Sequence, residues 1–167
     1  MTRVKIGDRK SDRYQTAIKV ELLKQAYLTG RRDFSHSHLQ SVCLHKAHLA
    51  EINFSGAYLN RAILSKVNLE KAYLNRAILY AANLDHANLY RASLIEANLE
   101  KANLDRAVLN HANLSGANLK NANLHNAQFV WANLRSANLK DANLEGVNFS
   151  GARFDGTIMP DGSIRNG

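Results

Sequence analysis

The stretch Ala82-Asn83-Leu84-Asp85-His86-Ala87-Asn88-Leu89 repeats one phrase: a small residue, an asparagine, a leucine, then two variable positions. Followed outward in both directions, the phrase never loses its frame. A Leu or Phe occupies every fifth position from Phe34 to Phe154, giving 25 in succession, of which 20 are Leu and five are Phe. Two residues before them, 19 of the 25 positions hold Ala, and Val42, Ile52, Val67 and Val147 fill four more. Repetition of this kind decides an architecture before any weaker signal is weighed.

A period of five suits neither regular element. In an α-helix each residue advances about 100°, so leucines five apart would spread around the whole cylinder. In a flat strand an odd period throws successive leucines to opposite faces. A sheet buried on both faces would accept that, but residues 32–156 carry no turn punctuation to build one. A chain that turns a corner once per repeat keeps every Leu pointing to a common axis. In this reading Ala tucks in beside Leu at the corner, and Asn faces outward with the two remaining positions. Each buried Leu contributes about 1.5–3 kcal/mol, ample for a single domain.

These phrases, together with Ala117-Asn118-Leu119-Lys120-Asn121-Ala122-Asn123-Leu124, resemble the pentapeptide-repeat proteins over residues 32–156. The resemblance implies an all-β solenoid: a right-handed quadrilateral β-helix with four repeats per coil. Twenty-five repeats then make about six coils at the roughly 4.8 Å strand spacing, with an N-terminal α-helix expected ahead of them. Leu44, Leu64, Leu84, Leu104, Leu124 and Leu144 then stack in one interior ladder. The Phe residues sit at the two ends, where a large ring covers an open core. The organisation expected is 1–31, a basic segment with a capping helix; 32–156, the β-helix; and 157–167, a degenerate repeat and tail.

Residues 12–29 read as the helix, with Ser11 or Asp12 to cap its start and Gly30 at its end. Tyr14, Ala17, Ile18, Leu22, Ala26 and Tyr27 share one side at helical spacing. That side either lies over the first coil, near Phe34 and Leu39, or recruits a partner. The few, scattered basic residues argue against a membrane-surface helix. At the other end Thr157 and Met159 fit the small and central positions of one more repeat, and Pro160-Asp161-Gly162 reads as a turn that stops the coil. This ending resembles that of cyanobacterial members. Some members associate end to end, so a homodimer through the last coil is a further expectation.

The chain carries a net +8, unevenly placed: +5 falls in residues 1–31 and +3 in residues 32–156. No run of apolar residues is long enough to span a membrane. The N-terminus lacks the apolar core of a secretory signal, and Cys43 is the sole cysteine, so a cytoplasmic site is expected.

An interior of Leu and Ala offers no acid, base or nucleophile, so any site lies outside. No phosphate loop, dinucleotide fingerprint, catalytic triad or carboxylate pair is present. No catalytic residue, cofactor or metal is therefore assigned. His36, His38, Cys43, His45 and His48 fall on different faces or corners and do not converge as zinc ligands must. Residues 20 apart stack, so Lys46, Lys66, His86 and Arg106 form one basic column, and Lys71, Arg91, His111 and Trp131 a neighbouring one. Glu70, Asp85 and Asp105 precede members of these columns and compensate them. Aromatics near them are sparse, which argues against nucleic acid. The most site-like feature is apolar. Tyr58, Ile63, Tyr73, Ile78 and Val108 replace the usual Asn, and Tyr80 and Tyr90 add rings nearby. Tyr58, Ile63, Tyr73, Ile78, Tyr80 and Tyr90 are the candidate patch for an unknown protein partner.

Function follows as a non-enzymatic rod that acts as a protein–protein interaction or scaffold module. The alternative is DNA mimicry at gyrase, as in the gyrase-protecting members of the family that the chain resembles. Those rods are strongly acidic, and the net positive charge here has the wrong sign.

Overall fold

The computed structural model describes residues 9–167. Its main body is a coil in which each outward Asn-type residue bridges the residue 20 positions later, in parallel, from Asp33↔Asn53 to Asn138↔Ile158. Four such columns define four faces. Face I carries Asp33, Asn53, Tyr73, Ser93, Asn113, Asn133 and Arg153. Face II carries His38, Tyr58, Ile78, Asn98, Asn118, Asn138 and Ile158. Face III runs from Cys43 through Ile63 to Asn143, and face IV from His48 through Asn68 to Asn148.

Each face is short because each repeat spends its last two residues on a turn. The N–H of Ala87 donates to the carbonyl of Leu84 at 2.9 Å, closing a turn through Asp85 and His86. The second turn residue has positive φ at every fifth position from His36 to Gly156, with non-glycine values of 53–60°. Twenty of these 25 residues are not glycine. The corners are therefore made by the two residues after Leu, not by Ala. Ala lies on the face beside Leu, a position that Val42, Ile52 and Val67 also fill while fully buried. Adjacent coils join through N–H groups pointing in both directions. Leu84 donates to Asn103 at 2.7 Å, and Asn103 donates to Ala82 at 2.9 Å.

The core is dry. Every Leu or Phe from Leu44 to Leu139, and every small residue from Ile52 to Ala137 two positions earlier, is at most 1% exposed. The expected all-β character takes an unusual form. Among the described residues regular strand is confined to a hairpin of β1 (Thr157–Ile158) and β2 (Ile164–Arg165). Elsewhere the ladder consists of single-residue bridges.

The helix α1 spans Arg9–Leu28, so Ser11 and Asp12 lie within it and not at its cap. Gly30, at φ 98°, ends it: Arg31 N–H reaches Ala26 O and Gly30 N–H reaches Tyr27 O, both at 3.0 Å. This pairing satisfies the last carbonyls as a Schellman motif. The buried side also differs from the expected one. Leu23 is buried, and Val20, Ala26 and Tyr27 pack against the core, whereas Ala17 is exposed and Leu22 is 64% exposed. The Tyr14 and Ile18 side chains lie outside the described set. The Tyr27 hydroxyl donates to Ala50 O at 2.9 Å, closing one carbonyl of the first coil's open edge.

At the far end Thr157 is buried in the small position, and its hydroxyl donates to Leu134 O at 2.7 Å. Pro160–Gly162 does not simply stop the coil. It turns the chain back as the β1–β2 hairpin, so that Gly167 N–H meets Phe154 O and Arg165 lies 3.7 Å over the Phe154 ring.

Candidate functional site

The ladder Asn residues set the standard against which the exterior is judged. Asn83 Oδ1 accepts the N–H of Asp85 at 3.1 Å and the Nδ2 of Asn103 at 3.3 Å. Asn68 does the same with Glu70 and Asn88. One side chain thus holds its own corner and ties two coils together.

Tyr58, Ile63, Tyr73 and Ile78 occupy four of these positions and cannot perform either task. Among the described residues the N–H groups of Asn60, Ser65, Asn75 and Tyr80, which follow them, have no protein acceptor. In exchange the chain displays apolar surface: Tyr58 is 37% exposed, Ile63 43% and Tyr73 53%. Tyr58 stands between face II neighbours, its ring parallel to that of His38 at 4.6 Å and its backbone bridged to that of Ile78. Tyr80 follows at the corner between faces II and III. Its hydroxyl accepts from Lys101 Nζ at 3.1 Å and holds that ammonium above its ordinary pKa of 10.5. Ile63 lies on face III beside Cys43, where a groove against α1 is lined by Ala17, Val20, Ser41, Cys43 and Ile63.

The six candidate residues do not form one patch. Tyr58, Ile78, Tyr80 and Ile63 share faces II and III. Tyr73 lies on face I. Tyr90 sits at the corner between faces IV and I, edge-on to His111 at 5.6 Å and under Arg91 at 5.1 Å.

The basic columns occupy successive corners on either side of face IV. Lys71 lies 3.7 Å from Glu51 and 3.8 Å from Glu70, and His86 meets Asp85 at 2.7 Å. Asp105, read from sequence as the partner of Arg106, instead meets His125 one coil on, at 2.7 Å. The early His and Cys residues are dispersed. His45 pairs with Ser65 at 2.7 Å, His38 stacks on Tyr58, and Cys43 is exposed. Among the described residues no group of three or more His, Cys, Asp or Glu is placed to hold a metal ion. No helix there is long and apolar enough to cross a membrane.

The chain belongs to the pentapeptide-repeat family: the pentapeptide-repeats profile matches residues 52–89, 87–126 and 127–161. The fold of that family is the right-handed quadrilateral β-helix. Among solved structures the chain is similar to HetL, a pentapeptide repeat protein involved in heterocyst differentiation regulation from the cyanobacterium Nostoc sp. strain PCC 7120. The two are 28% identical over 86% of this chain and 98% of that one, with a TM-score of 0.32. Rfr23, from the cyanobacterium Cyanothece 51142, is 30% identical over 83% of this chain and 99% of its own, with a TM-score of 0.43. QnrB1, a plasmid-mediated fluoroquinolone resistance protein, is 15% identical over 74% of this chain and 81% of its own, with a TM-score of 0.44. No curated protein matches the chain.

Proposed function

We propose that this pentapeptide-repeat protein is a non-enzymatic cytoplasmic rod of about six coils whose exterior docks a protein partner. One observation carries the reading. At Tyr58, Ile63 and Ile78 the ladder gives up its hydrogen bonds, each worth about 0.5–1.5 kcal/mol, to place apolar side chains on adjoining outer faces. The core gains nothing from that exchange. A partner that covers faces II and III, next to the groove beside α1, recovers it. The exposed, unpaired Cys43 suits a reducing compartment. Mimicry of DNA finds no support in charge, since the rod carries a net +3 over residues 32–156.

The test compares retention of partners from lysate by the intact protein and by Tyr58→Ser/Ile78→Ser. Loss of one specific partner, with the melting temperature unchanged, is the supporting result. A partner held equally by both places the docking surface elsewhere and defeats the reading.

End-to-end pairing has its own support. Leu144, Val147 and Phe149 in the last coil are only partly buried, and the N–H groups of Leu144, Gly146, Phe149 and Gly151 have no protein acceptor among the described residues. Light scattering at increasing concentration decides it: a mass that stays monomeric removes the homodimer.

A further inference from the structure

We propose that face I, centred on Trp131, binds single-stranded nucleic acid. Trp131 is the only tryptophan of the chain and is 62% exposed. Its ring rests on the next coil at Gly151. A Cβ there would stand 2.6–2.9 Å from three ring carbons, so the glycine is what lets the indole lie down. An exposed ring with one face seated on backbone is a ready stacking platform, and every base has a face to offer it.

The coil geometry supplies the charge that the linear sequence disperses. His111 lies one coil before Trp131 in the same corner column, and Arg91 one coil before that. The bridge Asn133↔Arg153 places Arg153 on the adjoining face. His111, Trp131, Asn133 and Arg153 line one groove. Arg135 stands at the far corner of the same face. Neither Arg135 nor Arg153 has a carboxylate in ion-pair contact among the described residues, unlike Lys71, Arg76 and His86. No Asp or Glu occurs between Asp105 and Asp141, a stretch with Arg106, Lys120, Arg135 and Lys140. From Arg91 to Trp131 and on to the coil of Arg153, the basic and aromatic groups repeat at about 4.8 Å along the rod, a span of roughly 14 Å that accepts a short run of nucleotides. The Asn113 amide on the same face supplies a neutral donor, whereas the Ser93 hydroxyl is already given to Asn75 Oδ1 at 2.6 Å. Basic groups on either side of an exposed ring suit a phosphate backbone with stackable bases better than an acidic peptide, which has no use for the indole.

The sole tryptophan makes the test direct. A short oligothymidine is titrated into the full-length protein at low salt while tryptophan emission is read. The expected result is saturable quenching, an affinity that falls steeply with salt, and binding about tenfold weaker in Trp131→Ala by labelled-oligonucleotide anisotropy. Arg153→Gln should weaken binding uniformly and lower the salt slope by about 1. Circular dichroism and melting of each variant confirm that the coil persists. Absence of quenching at low salt overturns the proposal. So does unchanged oligonucleotide affinity in Trp131→Ala, or equal binding of polyglutamate, which would make the face a protein-docking surface. Thymidine monophosphate that quenches as well as the oligomer at equal base concentration would assign the groove to free nucleotides and overturn the polymer.

Discussion

Replacing Ile63 by Asn should make this protein more stable, although the change puts a polar residue where an apolar one stood. Ile63 sits in face III between Cys43 and Asn83 and is 43% exposed. An Asn there has two partners waiting. One is the N–H of Ser65, a residue only 9% exposed, which now has no protein acceptor. The other is the Nδ2 of Asn83, which would donate one coil back, as Asn103 does to Asn83 at 3.3 Å. Two bonds at about 0.5–1.5 kcal/mol each contribute about 1–3 kcal/mol. Half-burial of isoleucine is worth about half of the full 1.5–3 kcal/mol, so about 1 kcal/mol is lost. The balance favours the variant by about 1 kcal/mol, or roughly 2–4 °C in melting temperature for a chain of this length. Repeat arrays need not melt in two states, so a local readout is needed as well. In the native chain the Ser65 amide should exchange fast. In Ile63→Asn it should slow to the rate of the Asp85 amide, which Asn83 already holds. A variant that melts lower, with Ser65 exchange unchanged, would refute the account of the ladder and with it the claim that Ile63 serves an external purpose.

Four other outcomes follow from the same geometry. Ala81 holds φ 54° in a corner, so Ala81→Gly should stabilise by about 1 kcal/mol. Gly151→Ala should destabilise by about 1–2 kcal/mol or more and shift Trp131 emission, because it meets both the backbone penalty and the indole. Leu94→Ala empties a fully buried mid-rod site and should cost about 2–5 kcal/mol by denaturant melting, with exchange rising most in the adjoining coils. Asp161 accepts the hydroxyl and the N–H of Ser163, which hold its carboxyl below the ordinary value of 3.8. A depressed carboxyl stabilises above that value and loses its contribution as pH falls through the lower folded value. Amide exchange in the β1–β2 hairpin should therefore rise in acid, and Asp161→Asn should flatten that dependence.

The Leu and Ala frame was legible because the interior is the same problem solved 25 times. The corners were misplaced at Ala, although glycine carried the signal that would have placed them. Gly56, Gly116, Gly146, Gly151 and Gly156 all stand two residues after a Leu or Phe, which marks a position of positive φ. The 20-residue coil likewise separates Tyr80 from Tyr90, since two repeats are half a circuit. The helix face was harder. Leu22 and Leu23 begin stripes of equal merit, and only the crossing of α1 over the first coil chooses Leu23. The column of Arg91, His111 and Trp131 was legible from the 20-residue spacing, but Arg153 was not, because only the Asn133↔Arg153 bridge brings it beside the indole.

The solenoid separates its interior from its exterior almost completely, and this explains where variation collects. A core Leu costs about 2–5 kcal/mol to truncate. A ladder Asn costs only its hydrogen bonds, about 1 kcal/mol apiece, so the exterior is free to change under a fixed frame. The changes are not evenly spread. From position 38 to 78, only Asn53 and Asn68 of the nine ladder residues are Asn. From 83 to 148, 11 of 14 are, the exceptions being Ser93, Val108 and Gln128. In the second group two of the three exceptions are repaired: Asn75 Oδ1 reaches the N–H of Ile95, and Asn110 Oδ1 that of Val130. In the first group no such repair reaches the corners after Tyr58, Ile63, Tyr73 or Ile78. If those residues were neutral drift, repaired and unrepaired corners should mix along the rod. Their segregation into the coils nearest α1 is what a docking surface at that end requires, and it leaves the later coils, with a ladder mostly of Asn and no Asp or Glu from 106 to 140, for a different class of ligand.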